Sequence, residues 1–219
     1  MSDNVNLIWS VPDGDALVAK MARVSNPQNE SNDATACRLI RYLIKNKHWS
    51  PFEMVSMCVE IKTTRDISRQ ILRHRSFVFQ ERSQRYSAVQ HTTTTTREAR
   101  LQDLHNRQNS RPLPANDSII GNSFYAAQCH VWQTATMAYN RALDMGVAKE
   151  CARALLPEGL TPTRMYMSGT VRSWLHYCDL RRGNGTQKEH AEIAEACWRV
   201  LMRCYPAICT AFGALEESE

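Results

Sequence analysis

A chain of 219 residues with 43% apolar and 22% charged side chains can bury a substantial core, and its composition points away from both a disordered chain and a membrane protein. The formal charge of +5 is modest, so both small anionic substrates and nucleic acid remain open as partners. No apolar run reaches the length of a membrane-spanning helix, and the start Met1-Ser2-Asp3-Asn4 is too polar for a signal peptide.

Residues 14–24 have the spacing of a short amphipathic helix closed by Ser25-Asn26-Pro27. A second helix is predicted from Asp33, as N-cap, to Lys47, with Ala36, Ile40, Leu43 and Ile44 on one face. His48-Trp49-Ser50-Pro51-Phe52-Glu53 reads as a polar-aromatic turn, because Pro51 disfavours helix at Ser50. From Met54 to Lys62 apolar and polar residues alternate as in a half-buried strand, with Val55, Met57, Val59 and Ile61 inward. Thr64 to Arg73 returns to helical period around Ile67, Ile71 and Leu72, and Phe77-Val78-Phe79 begins an extended excursion. Residues 91–118, with the threonine run 92–96 and Arg111-Pro112-Leu113-Pro114, carry the weakest pattern and read as surface connection.

A long helix is expected from Ser118 to Met145, ended by Gly146, and a shorter one from Ala148 to Leu156, stopped by Pro157. Thr161–Ser168 alternates as a strand. Thr170–Arg182 is helical around Val171, Trp174, Leu175 and Cys178, and Gly183-Asn184-Gly185 breaks it. Thr186-Gln187-Lys188-Glu189 is a capping-box pattern opening a last helix to about Tyr205. Helices bracketing a few strands, without repeat or boundary, predict one α+β domain over residues 1–219. Its expected form is a small, mainly antiparallel sheet with several helices packed around it. Eight cysteines, none in a CxxC pair and most among apolar helix-like residues, read as packed thiols of a reduced, cytoplasmic protein. No His/Cys spacing suits a metal, and no GxGxxG or Walker loop is present.

The chemistry concentrates in Arg73–Ser87, where four arginines, a histidine, a glutamate and three serines share fifteen residues with three aromatic rings. Residues 65–100 hold eight Arg, no Lys and three acids, 8 − 3 = +5. Arginine binds phosphate and carboxylate bidentately and stays charged at any working pH. A solvated basic face is one reading of such a run. The interruption by Phe77-Val78-Phe79 favours partial burial, and buried arginines outnumbering acids imply a bound anionic ligand.

Arg73-His74-Arg75 followed after seven residues by Ser83, with Gln70, Glu81, Gln84, Arg85 and Tyr86 around it, resembles the signature of the flavin-dependent thymidylate synthases. Ala22-Arg23-Val24-Ser25, His48–Glu53, Glu150-Cys151-Ala152-Arg153, Val171-Arg172-Ser173, His176 and Asp179-Leu180-Arg181 extend the resemblance over residues 20–205. It departs at Gly185-Thr186-Gln187, where many members have His-Ala-Gln, and at Thr170 in place of a common asparagine.

The resemblance implies reductive methylation of dUMP to dTMP, with methylenetetrahydrofolate as carbon donor and FAD reduced by NADPH as hydride source. It further implies a homotetramer with shared sites, no nucleic acid and no membrane. Arg181 would be the catalytic residue, acting on the uracil. Gln70, Arg73, Glu81, Ser83, Gln84, Arg85, Arg153 and Arg181 would bind dUMP. Ser50, Arg73, His74, Arg75, Glu81, Arg172 and His176 would hold FAD, and His48 and Tyr86 would lie on the folate side.

Other thymidylate synthases use a cysteine nucleophile, and here no cysteine adjoins the basic segment in an activated setting; Cys58, on a strand, reads as packed. Ser83, with no local base and an arginine on each side, reads as a phosphate ligand rather than a nucleophile. The alternative function is a catalytically inert module binding RNA or single-stranded DNA through basic and aromatic residues. A third reading is an oligomeric scaffold with an empty basic groove.

Overall fold

A computed structural model describes residues 4–30, 32–89, 94–183 and 185–216. Its centre is the antiparallel pairing of β2 (Ser56–Thr64) with β6 (Pro162–Thr170), flanked by β1 (Val5–Ser10) on β2 and β3 (Val78–Glu81) on β6. The register sets Met57 opposite Gly169, Val59 opposite Met167 and Ile61 opposite Met165. Those five side-chain-bearing positions are fully buried, so the two predicted alternating strands turn their apolar residues to the same core.

Around the sheet lie α1 (Gly14–Ala22), α2 (Ala36–Lys45), α3 (Arg65–Ile71), α4 (Ser118–Asp144), α5 (Lys149–Ala152), α6 (Val171–Arg182), α7 (Lys188–Cys204) and α8 (Pro206–Glu216). The fold is α+β with a small antiparallel sheet, as expected. Ile40, Leu43 and Ile44 of α2, Trp174 and Leu175 of α6, Ile193, Cys197 and Leu201 of α7, and Ile208 of α8 join the strands in one core. A second, smaller cluster joins Trp132, Tyr139 and Ala142 of α4 to Ala152, Leu156 and Leu160. α4 is therefore anchored through part of its length, and Ile119, Ile120, Phe124, Tyr125, Val131 and Met137 stay exposed along it. Gly146 ends this helix with φ +84°, and the bonds Gly146 N–H to Leu143 O and Val147 N–H to Ala142 O form a Schellman closure.

Several boundaries differ from the sequence reading. Asp33 opens a 3₁₀ turn rather than capping α2, whose N-cap position is Thr35 and carries no side-chain cap. The Thr186–Glu189 capping box does not form: Gln187 occupies the N-cap, and Glu189 turns instead to Arg100. The weakly patterned stretch contains a hairpin, β4 (Arg100–Gln102) with β5 (Ser110–Pro112). Residues 90–93, with His91 and the first threonines, lie outside the described residues; Thr94 bonds Leu160 O and Thr95 and Thr96 line a cavity. Among the described residues no helix is long and apolar enough to cross a membrane. All eight thiols are free, and burial pushes the Cys58 thiol above its usual pKa, in keeping with a packed cysteine.

Candidate active site

The basic segment is suspended between two buried anchors. Ile67 and Ile71 pin α3, and Phe77 is buried against Trp174 at a ring distance of 4.7 Å. Between them the chain leaves the helix through Arg73 N–H to Gln70 O and His74 N–H to Ile71 O, which holds residues 73–76 at the surface. The expectation of buried arginines without acidic partners needs correction. Only Arg65 of the window is buried, and it pairs with Glu81 at 3.1 Å. Acids brought in from elsewhere also pair Arg69 with Glu158, Arg85 with Glu150 and Arg100 with Glu189, while Arg97 takes Asp66. A count over a sequence window cannot see those partners. The exceptions are Arg73, Arg75 and Arg82, all exposed and without a carboxylate partner among the described residues; Arg82 donates instead to Ser87 Oγ and Ala88 O.

Helix α6 links this segment to the turn that holds Trp49 and Glu53. Ser173 Oγ of α6 donates to Ser76 O at 3.2 Å, tying the loop to the helix. Arg172 of α6 pairs with Glu53 of the 3₁₀ turn Ser50–Glu53, and Trp49 sets its ring edge against His176 at 4.8 Å. Thr170 caps α6 by accepting from Ser173 N–H. Ser50 and His48 are exposed beside this region, His48 edge-on to Tyr42. Glu53 was missed as a partner by the sequence reading, although the motif containing it was noted.

Arg181, one turn beyond Tyr177 on α6, donates from Nε to His74 Nε2 at 2.9 Å. An imidazole that accepts from a guanidinium is neutral, with its own proton on Nδ1. Burial first, and the Arg181 charge second, hold the His74 pKa below its ordinary value. Edge contacts from Tyr177 at 4.9 Å and His190 at 6.2 Å fix the ring. Arg181 has no carboxylate partner among the described residues, so its terminal N–H groups can meet a planar anion or carbonyl. His176 also has a lowered pKa, through burial and then Arg172, partly opposed by Asp179.

The remaining predicted residues form a second cluster. Arg85 pairs with Glu150 at 3.3 Å, Lys149 Nζ donates to Tyr86 O, and Arg153 Nε donates to Glu150 O. Gln84 and Arg153 line a cavity of about 420 Å³ with Arg65 and Arg69. The Ser83 hydroxyl accepts from Arg85 N–H, and no imidazole or carboxylate among the described residues bonds it. Glu81 sits between the clusters, its Oε1 taking Arg65, Ser68 Oγ and Thr163 Oγ1, which pins β3 to α3 and β6.

Gln70, Arg73, His74 and Arg181 thus gather at the C-terminal end of α3, whereas Ser83, Gln84, Arg85 and Arg153 gather near its start. The seven-residue helix between them is about 10 Å long. One chain does not bring the whole predicted set together. A further cavity of about 460 Å³, walled by Arg97, Arg100, Lys188 and Glu189, includes only Gln84 of the predicted residues. Its Arg97 and Arg100 are paired with Asp66 and Glu189.

The donor set suits a phosphorylated planar cofactor. Arg73 and Arg75, exposed and without an acidic partner among the described residues, offer forks to phosphate, while His176, Trp49 and the Ser50 turn offer a flat flank and a hydroxyl.

The family described as thymidylate synthase complementing protein matches residues 6–207. A protein of Paramecium bursaria Chlorella virus 1, described as a probable flavin-dependent thymidylate synthase, is 46% identical over 206 residues, covering 94% of this chain and 93% of its own. The flavin-dependent thymidylate synthase of Synechocystis sp. is 48% identical over 200 residues, covering 91% and 89%. Among solved structures, the UMP/dUMP methylase PolB of Streptomyces cacaoi, bound with 5-Br dUMP, superposes with a TM-score of 0.82 at 28% identity, covering 98% of this chain and 96% of that one.

Proposed function

The chain belongs to the family of flavin-dependent thymidylate synthases, and from that premise we propose that it converts dUMP to dTMP with methylenetetrahydrofolate as carbon donor and NADPH as reductant. The observation that carries this reading is Arg181, held at Nε by a neutral His74 and left, among the described residues, with unpaired terminal N–H groups. Negative charge that develops on a uracil carbonyl during attack at the ring is stabilised by such a preorganised fork more than the neutral ground state is. FAD held there and reduced would supply the hydride, and would take over the ring activation that other thymidylate synthases obtain from a cysteine nucleophile.

The chain's own residues bind and orient. Ser50, Arg73, His74, Arg75, Arg172 and His176 hold FAD, and Gln70 and Arg181 hold the base. Ser83, Gln84, Arg85 and Arg153 hold the nucleotide phosphate. Glu81 reaches ligands only through its second oxygen, since Oε1 is occupied. His48 and Tyr86, which lie in different clusters, flank the folate.

The separation of the two clusters along α3 supports a site completed by a second copy, and the exposed apolar residues of α4 supply surface for a homotetramer. The substrates are soluble anions, so the protein works in the cytoplasm without nucleic acid or membrane.

The test is spectroscopic and kinetic together. Purified protein should carry or take up FAD and oxidise NADPH when dUMP and methylenetetrahydrofolate are supplied, with UMP run as the comparison substrate. A colourless protein that cannot be reconstituted, and that binds oligonucleotides in a salt-sensitive way, contradicts the reading and favours a binding module.

A further inference from the structure

Behind Gln70 a row of polar side chains runs from the core to the surface. His190 is wholly buried, although its place on α7 is one an apolar residue could fill. Its Nε2 lies 3.1 Å from Tyr177 Oη and its Nδ1 lies 3.2 Å from Gln70 Oε1. Gln70 Nε2 donates to Gln187 Oε1 at 2.7 Å, and Gln187 Nε2 donates to Glu189 Oε2 at 2.9 Å. Arg100 closes the row on Glu189, at 2.7 Å to Oε1 and 3.0 Å to Oε2.

Amides and imidazoles can each point either way, so the direction of such a row must be set by a member that cannot reverse. Glu189 is that member. An ionised carboxylate only accepts, and its partners Arg100 and Gln187 keep its pKa down at about 2 against the opposing effect of burial. Gln187 must therefore turn its N–H₂ to Glu189 and its oxygen to Gln70. Gln70 must then turn its N–H₂ to Gln187 and its oxygen to His190. His190 must carry its proton on Nδ1, which leaves Nε2 to accept from the Tyr177 hydroxyl.

We propose that Glu189, Gln187 and His190 are positioning residues that fix the side-chain amide of Gln70 in one orientation for the nucleotide. This rests on the functional reading above, which puts Gln70 on dUMP. With one amide N–H and one oxygen lone pair spent on α7, Gln70 presents only the other N–H and the other lone pair to a ligand. A reversed amide would present the wrong group at each position.

The experiment uses the flavin-loaded protein, dUMP titrations without turnover, and nitrogen-15 shifts of labelled histidine. In the wild type His190 should be neutral with the proton on Nδ1. Glu189→Gln, which lets the row run in either direction, should give a mixed tautomer signal and weaken dUMP binding about three- to tenfold. His190→Leu should weaken it similarly, and His190→Asn, which keeps a donor near the Nδ1 position, should recover most of the loss. In a Gln70→Ala background neither Glu189→Gln nor His190→Leu should weaken dUMP binding further, because they act through Gln70.

A wild-type His190 protonated on Nε2 overturns the inference, and needs no variant to fold. So do unchanged dUMP affinities in the variants, or equal losses with and without Gln70. A wild type that takes up FAD but never binds dUMP overturns the functional reading itself, and the inference with it.

Discussion

Replacing Gly169 by alanine tests how the core holds the basic segment in place. Gly169 lies in β6 beneath Phe77, and a Cβ added there would stand 2.4 Å from Phe77 Cδ1 and 2.7 Å from Cε1. The ring has little room to retreat, since it is buried with Trp174 at 4.7 Å and Tyr177 at 5.8 Å. Overpacking of this kind costs about 1–3 kcal/mol. Removing a glycine from the unfolded chain returns about 0.4–1 kcal/mol, so the steric cost wins. For a chain of this size each kcal/mol lowers Tm by about 2–4 °C. Phe77 follows His74 by three residues and adjoins Ser76, whose carbonyl is tied to Ser173, so its displacement should also weaken FAD binding. Thermal unfolding and FAD titration read both effects. Phe77→Leu in the alanine background should cost less than it does alone, because it relieves the overlap. A Gly169→Ala protein with wild-type Tm and FAD affinity would refute this account of the segment.

Arg181→Lys keeps a cation but loses the fork, and should lower kcat about a hundredfold, measured as single-turnover product formation from prereduced enzyme. Arg182 is held by Glu195 at 2.7 Å and lies over Trp198 at 4.7 Å, so Arg182→Lys should leave kcat intact and lower Tm slightly. Ser83→Ala should raise the KM for dUMP while turnover continues, and loss of kcat with affinity intact would restore Ser83 as a nucleophile. Stability should fall as pH drops below 6.5, since burial first and the Arg181 charge next hold the buried His190 at about 4 while the unfolded chain takes up that proton. Over (6.5 − 4) × 1.36 this amounts to roughly 3 kcal/mol by pH 4, and denaturant titrations across that range check it. Below 4.5 the Glu189 carboxylate, held at about 2, adds a further loss in the same direction. Sedimentation of the active protein at micromolar concentration should give a tetramer, and an active monomer would contradict the shared site.

Elements whose burial follows a clean period were legible in the sequence. Val55, Met57, Val59 and Ile61 alternate and are all fully buried, and the α2 and α6 stripes fall on the core as expected. β1 was not legible, because an edge strand with a bulge between Leu7 and Trp9 leaves Leu7, Ile8 and Trp9 exposed and shows no alternation. α8 was hidden by Pro206, which reads as a stop yet serves as the first residue of a new helix. The hairpin β4–β5 has three residues per strand and little apolar content to announce it. At the site, the motif residues were legible as chemistry, but their partners were not. Glu150, Glu158 and Glu189 reach the arginine segment through the fold, across distances in sequence that no local pattern encodes.

The central claim is a methyl transfer to the uracil ring of dUMP, and product analysis tests it most directly. Enzyme reconstituted with FAD should be given dUMP, NADPH and methylenetetrahydrofolate labelled with carbon-13 in its methylene group. The account predicts dTMP carrying the label in its methyl group, formed only when all three are supplied. NADPH oxidation without labelled dTMP, from protein that binds both FAD and dUMP, would contradict it.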